Sequence, residues 1–377
     1  MTLRNRIAVL CALLLAALCA CGQGREDGAF VLPAVTGHME LSYAEQFSVD
    51  YLSGGGALLT VGGDDRYLIL PEGAPAPSGL DPSVILLRRP VRNLYLASSS
   101  AADLFLRLDA LGFVRLTATT RANWRLPELR AALDGGDILY AGKYSAPDFE
   151  LLLSEDCGLA LENTMIYHRP EVKEQLETLG IPVLVERSSY EPHPLGRVEW
   201  IKVYGLLTGR EAEAERFFDR QVRQLSGLED YPDTGKTVAF FHINTGGAAV
   251  VRKPGDYVSK MIALAGGEYV FSDLPGEDNA LSTMNMQMET FYAGVKDADI
   301  LIYNSTIDGP LSTLDELLEK APLLADCKAV KTGEVWCTEQ SMFQKTSAAA
   351  GMISDFHAVL SGQAEGKEKL TFLHKLT

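Results

Sequence analysis

Cys21 closes the tetrad Leu18-Cys19-Ala20-Cys21: an aliphatic residue, two small residues and a cysteine. That pattern fits a bacterial lipobox, in which the last thiol takes a diacylglyceryl group as a thioether and the chain is cut just before it. Residues 1–20 supply the rest of a secretory leader. Arg4 and Arg6 make a positive start, and Ile7 to Ala20 is an apolar run. It is too short for a hydrocarbon core of ~30 Å, which takes about 20 residues. Cys11 and Cys19 would leave with the leader. Residues 21–35 then read as a tether, with polar Gln23 to Asp27 following the anchor at once. Two or more acyl chains hold a protein stably where one is marginal, so a lipid on Cys21 implies the outer face of a cell membrane. The other reading is an ordinary secretory signal with incidental cysteines.

The remaining chemistry-bearing residues are scattered. His168, His193 and His242 each follow or end a predicted strand, and three imidazoles with a carboxylate would bind a divalent metal. None has HxH or HExxH spacing, and His193, between Pro192 and Pro194, also fits a turn residue that caps a helix. Ser98-Ser99-Ser100 could offer a nucleophile, which would make the chain a lipid-anchored hydrolase. No GxSxG elbow accompanies it, and the reading is of a protein that is not an enzyme. The stretch INTGGAAV (243–250) can bring backbone amides close to a ligand, but no GK[ST] follows. Trp124 lies in the polar loop TTRANWRLPE instead of an apolar stripe, so it is a stacking candidate. Arg252 could take an anionic group in a bidentate contact, or stand solvated at the surface. Past the anchor only Cys157, Cys327 and Cys337 remain. Cys327 and Cys337 flank KAVKTGEVW, read as a short hairpin that a disulfide could join; buried free thiols are the other reading.

At 377 residues and 47% hydrophobic, the chain is long enough for two domains with sizeable cores. It holds 34 basic and 50 acidic residues; without Arg4 and Arg6 the balance is 32 to 50, or −18. So acidic a chain lacks the basic footprint of a nucleic-acid binder.

The elements that must position these residues alternate regularly. Residues 39–70 alternate apolar and polar around the Gly-rich turns SGGG and GGDD, which predicts a β-hairpin or small meander. From Asn93, short apolar strands (LYLA, VRLTAT, ILYAG, GLAL, IPVLVE) alternate with helical segments, the signature of βαβ units and a parallel sheet. Residues 194–228 carry helical periodicity throughout, with Pro194 at the start and a break or change of face at Gly209. The βαβ pattern then restarts with TVAFFHI. The reading is α/β: two Rossmann-like lobes joined by a single long helix, with an N-terminal β-hairpin extension. Residues 36–193 form the first lobe, 194–228 the linking helix, 229–362 the second lobe and 363–377 a polar tail. A helix across the junction resists large bending, and a ligand would sit between the lobes at the carboxyl ends of the strands.

This layout resembles the substrate-binding lipoproteins of ABC importers for ferric siderophores, haem and cobalamin. YLASSSAADLFLRLDALGFVRLTATT is similar to the family's opening unit and PDFELLLSEDCGLAL to its next. The stretch from Leu161 to Phe218 looks like its strand, helix, strand and linking helix. The resemblance covers about residues 90 to 360 and does not clearly cover 39–70. It implies a ligand captured between the lobes: an iron chelate, haem or corrinoid, with no covalent cofactor except the lipid. Related importers for zinc and manganese bind a bare metal. The pocket would be lined by Ser99, Trp124, Tyr144, Met165, Tyr167 and Tyr190 on the first lobe. On the second it would use Asn244, Arg252, Tyr257, Asn285, Asn304 and Trp336. Glu150 and Glu289 match the rim carboxylates that meet arginines of the permease, and Glu199 reads as structural. The implied partners are the permease and the membrane, with the receptor a monomer.

Overall fold

The computed structural model describes residues 32–77, 79–227, 231–275, 283–366 and 370–377. The leader and Cys21 lie outside them.

The N-terminal extension contains the small meander, one of the two readings of 39–70, and is larger than it. Five strands, Val35–His38, Phe47–Leu52, Ala57–Val61, Asp65–Pro71 and Val84–Arg89, form one sheet in chain order. The Gly-rich turns act as read: Gly54, Gly55, Gly62 and Gly63 all take positive φ, which costs glycine nothing. The Pro-rich loop, however, is a crossover. It carries the chain back so that Val84–Arg89 pairs parallel to Asp65–Pro71.

The first lobe is built on a wholly parallel sheet. Its order is Val183–Glu186, Leu159–Asn163, Leu94–Leu96, Val114–Thr117, Leu139–Tyr140. The chain starts in the middle, winds to one edge, then returns and winds to the other. The winding reverses between Leu94–Leu96 and Leu159–Asn163, where an open α/β sheet leaves its crevice. Both faces are covered: Leu94, Leu96, Leu159 and Leu161 join one apolar cluster, and Tyr95, Ala160, Val183 and Val185 the other. That is why these strands read as continuous apolar runs.

The lobes are joined by a helical backbone, but not by one unbroken rod. Pro194–Glu199 and Ile201–Thr208 run almost continuously and are buried on every side. Gly209 then takes φ 72°, a left-handed turn that a right-handed helix cannot pass through. Helix Glu211–Ser226 folds back along the first arm. Gly205 permits this: a Cβ there would lie 2.7 Å from the Ala214 Cβ.

The second lobe centres on Lys236–Ile243. Ala249–Arg252 and Gly267–Tyr269 flank it on one side, with Thr283–Met286 beyond. Ile300–Tyr303, Val335–Thr338 and Leu373–Lys375 extend it on the other. Two expectations fail here. The polar tail is an edge strand, with Leu370, Phe372, Leu373 and Leu376 buried; its lysines hid four core positions. The predicted hairpin between Cys327 and Cys337 is helix Lys328–Thr332, a left-handed Gly333 and strand Val335–Thr338. Both cysteines are buried and free.

Candidate functional site

The loops at the carboxyl ends of the two sheets touch. Ser100 and Asn123 follow first-lobe strands, and Gln344–Ser347 follow Val335–Thr338 of the second. Thr346 Oγ1 donates to the Ser100 carbonyl at 2.8 Å, and the Ser347 amide to Asp103 Oδ2 at 2.8 Å. The Arg125 amide donates to Gln344 Oε1 at 2.7 Å, while Gln344 Nε2 donates to the Asn123 carbonyl at 2.9 Å. The two sheets therefore face each other by the ends where α/β folds bind ligands.

The first-lobe wall is fastened from beneath. Ser98 Oγ donates to Glu186 Oε2 at 2.8 Å, and the Ser188 amide to Glu186 Oε1 at 2.9 Å. Asn163 Nδ2 donates to the Ala97 carbonyl at 3.1 Å, and its Oδ1 accepts from the Met165 amide at 2.9 Å. These bonds hold the two loops that bracket the winding reversal. Above them Met165 and Tyr167 stand 47% and 40% exposed. Ile307, just past Ile300–Tyr303 on the other lobe, is 65% exposed. Large apolar side chains left in water at strand ends suit an apolar ligand face. The Arg187 guanidinium lies 5.0 Å over the Tyr190 ring, and Ser99 and Tyr144 are half-buried.

On the second-lobe side the expected residues are mostly committed within the protein. Arg252 pairs with Asp256 at 3.5 Å and lies 4.9 Å over the Phe343 ring, so it is neither solvated nor open. Tyr257 is buried under the Arg197 guanidinium, 3.9 Å above its ring. Asn244 Oδ1 accepts from the Gly246 and Ala248 amides and closes the turn between two strands. Asn304 is buried and caps the short helix Ser305–Asp308. Asn285 is exposed on the edge strand Thr283–Met286. Both tryptophans overturn their expectation. Trp124 is wholly buried: Arg121, Ala122 and Asn123 take the solvent while its ring plugs the core below. Trp336 is buried in its strand, its Nε1 donating to Glu334.

The histidines do not converge. His168 is exposed. His193 Nδ1 accepts from the Leu195 amide at 3.1 Å, capping the linking helix, and its ring stacks on Tyr43 at 4.5 Å. Burial, and then the Lys260 charge, push it down to about 4. His242 is lowered by burial and by Arg252. Among the described residues no group of three or more His, Cys, Asp or Glu is placed to hold a metal, so the three-histidine site is set aside.

Glu150 and Glu289 are exposed, each in the first turn of its helix, Phe149–Ser154 and Met288–Val295. Sequence reasoning passed over Glu186, Arg187 and Arg197. Their signal was a charge inside or beside an otherwise apolar element, which the periodicity absorbed.

The profile of the periplasmic binding protein family matches residues 97–341; the chain belongs to that family, one of binding proteins and not of enzymes. An uncharacterized lipoprotein of Methanocaldococcus jannaschii is 26% identical over 258 residues, covering 67% of this chain and 59% of that relative's own length. The fold is shared with the periplasmic haem-binding protein HutB of Vibrio cholerae. That match has TM-score 0.56 and 19% identity, over 70% of this chain and 97% of that one. An ABC-type Fe3+-hydroxamate transport protein of Saccharomonospora viridis gives TM-score 0.56 and 18% identity, over 72% and 93%.

Proposed function

We propose that this chain is the extracytoplasmic receptor of an ABC importer, held to the membrane by a lipid on Cys21. It captures a ferric siderophore, haem or corrinoid between its lobes and presents it to the permease through Glu150 and Glu289. The observation that carries this reading is the meeting of the two sheets' carboxyl-end loops, with Met165 and Tyr167 on one lobe and Ile307 on the other left exposed just past strand ends. The family membership and the haem- and hydroxamate-linked relatives of the fold support it. The lipoprotein relative supports the anchor. Among the described residues no helix is long and apolar enough to cross a membrane.

The test is a thermal-shift panel of haemin, a ferric hydroxamate, a ferric catecholate, cobalamin and zinc. A true ligand at a hundred times its Kd adds about 2.7 kcal/mol to the native state. One chelate should raise the melting temperature, with no turnover of ester or phosphate substrates. A shift with zinc alone, or hydrolysis, would overturn the reading.

A further inference from the structure

The N-terminal sheet, residues 35–89, lies outside the segment matched by the family profile, yet the loop between its first two strands is bonded to the helix that joins the lobes. Glu199, fully buried in that helix, accepts from the Ser42 amide at 3.0 and 3.1 Å and from the Tyr43 and Ala44 amides at 2.8 Å each. Glu191, at the helix entry, accepts from the Glu45 and Gln46 amides at 2.8 and 3.1 Å and from Trp200 Nε1 at 2.9 Å. Five consecutive backbone amides are thus held by two buried carboxylates. Lys202 Nζ, 3.1 Å from Glu199, donates to the Glu40 carbonyl at 2.8 Å. Tyr43 stacks on His193 at 4.5 Å and meets Phe218 of the returning helix edge-on at 6.3 Å. The helix yields room at one point: a Cβ on Gly196 would lie 2.8 Å from the Tyr43 carbonyl oxygen.

We propose that residues 40–46 are a clasp on the hinge, fixing the helix entry, the first arm and the returning arm relative to one another and so limiting how far the lobes part. A loop whose five successive amides all end on two buried side chains is tied at more points than a single hydrogen bond provides. It also spans the three pieces that would have to shift for the cleft to open. The proposal rests on the two-lobed fold and not on the ligand, so it can fail while the receptor reading stands, and the reverse.

Hydrogen exchange read by mass spectrometry tests it on the full chain. The Arg125 and Ser347 amides donate across the cleft from one lobe to the other, so their exchange reports lobe separation. Glu199→Gln replaces one of the two accepting oxygens with an NH2 that cannot accept from the loop amides. Gly196→Ala wedges the loop away, although in a helix interior Ala is otherwise the better residue. In both, the amides of 42–46 should exchange about tenfold faster or more. The peptides holding Arg125 and Ser347 should speed up severalfold, while strand Leu159–Asn163 stays protected as the folding control. Should that control fail, Tyr43→Ala, which removes the ring contacts with His193 and Phe218 and leaves the loop's backbone bonds to Glu199 and Glu191, takes their place with the same expectation. Faster exchange at 42–46 with Arg125 and Ser347 unchanged would make the sheet a passive addition. No change at 42–46 would show that the carboxylates do not hold it. Either result overturns the proposal.

Discussion

Glu162 makes a measurable demand on the fold. It lies in the first-lobe sheet between Leu161 and Asn163, wholly buried, and neither carboxylate oxygen has a protein hydrogen-bond partner. Burial raises its carboxyl from the ordinary 4.5 to about 8, because an apolar surround disfavours the charged form. Between those values the folded chain keeps a proton that the unfolded chain has lost. Stability therefore falls as pH rises from about 4.5, and the loss levels off above about 8. At ~1.4 kcal/mol per pH unit the whole loss is on the order of 5 kcal/mol. Of this, about 2 kcal/mol has accrued by pH 6, leaving about 2–3 kcal/mol between pH 6 and pH 9. Glu162→Gln keeps the shape and cannot ionise. Its buried N–H groups carry a constant cost of about 1–3 kcal/mol. The experiment is urea unfolding of both proteins at pH 6, 7, 8 and 9. Other groups titrate in this window; His374, raised to about 9 chiefly by its hydrogen bond with Cys337, is one. They are common to both proteins and cancel in the difference. The variant should gain about 2–3 kcal/mol on the wild type from pH 6 to pH 9. Parallel curves would show that the carboxylate is solvated or partnered, and the reasoning from burial would fail.

Three further outcomes are expected. Trp124→Ala should cost about 3–5 kcal/mol of stability, as large core truncations do; unchanged unfolding together with weakened chelate binding would put the ring in the cleft after all. Glu150→Ala with Glu289→Ala should abolish uptake in cells while leaving chelate affinity intact, and normal uptake would remove both residues from docking. Cys327 and Cys337, buried and free, should react with a thiol reagent only on unfolding, and reductant should leave the melting temperature unchanged; a reductant-sensitive transition would reveal a disulfide.

What the sequence disclosed was whatever depends on local rhythm. Alternating strand and helix signals located the parallel sheet of the first lobe, and loops after its strands supplied Met165 and Tyr167, which do stand exposed. Local rhythm fails where long-range packing decides. Trp124 looked exposed because its neighbours are polar, yet those neighbours take the solvent so that the ring need not. Leu370 to Leu376 looked like a tail because Thr371, His374 and Lys375 intervene and Lys367 and Lys369 precede it, yet the strand Val335–Thr338 needed an edge partner. Gly209 was legible as a break, but that the second arm doubles back depends on Gly205 meeting Ala214, a contact across the turn. Most of the second-lobe candidates are committed within the protein for two reasons. Polar residues after strands are used first to close the turns that carry them, as Asn244 and Asn304 are. Arg252 and Tyr257 serve the junction between lobes, where their partners Asp256, Arg197 and Phe343 come from three separate elements. A residue type at a strand end is therefore a guide to the cleft only once the backbone's own hydrogen bonds have been satisfied. By that criterion Ser99, Met165, Tyr167 and Ile307 are the positions at which ligand contact should first be sought.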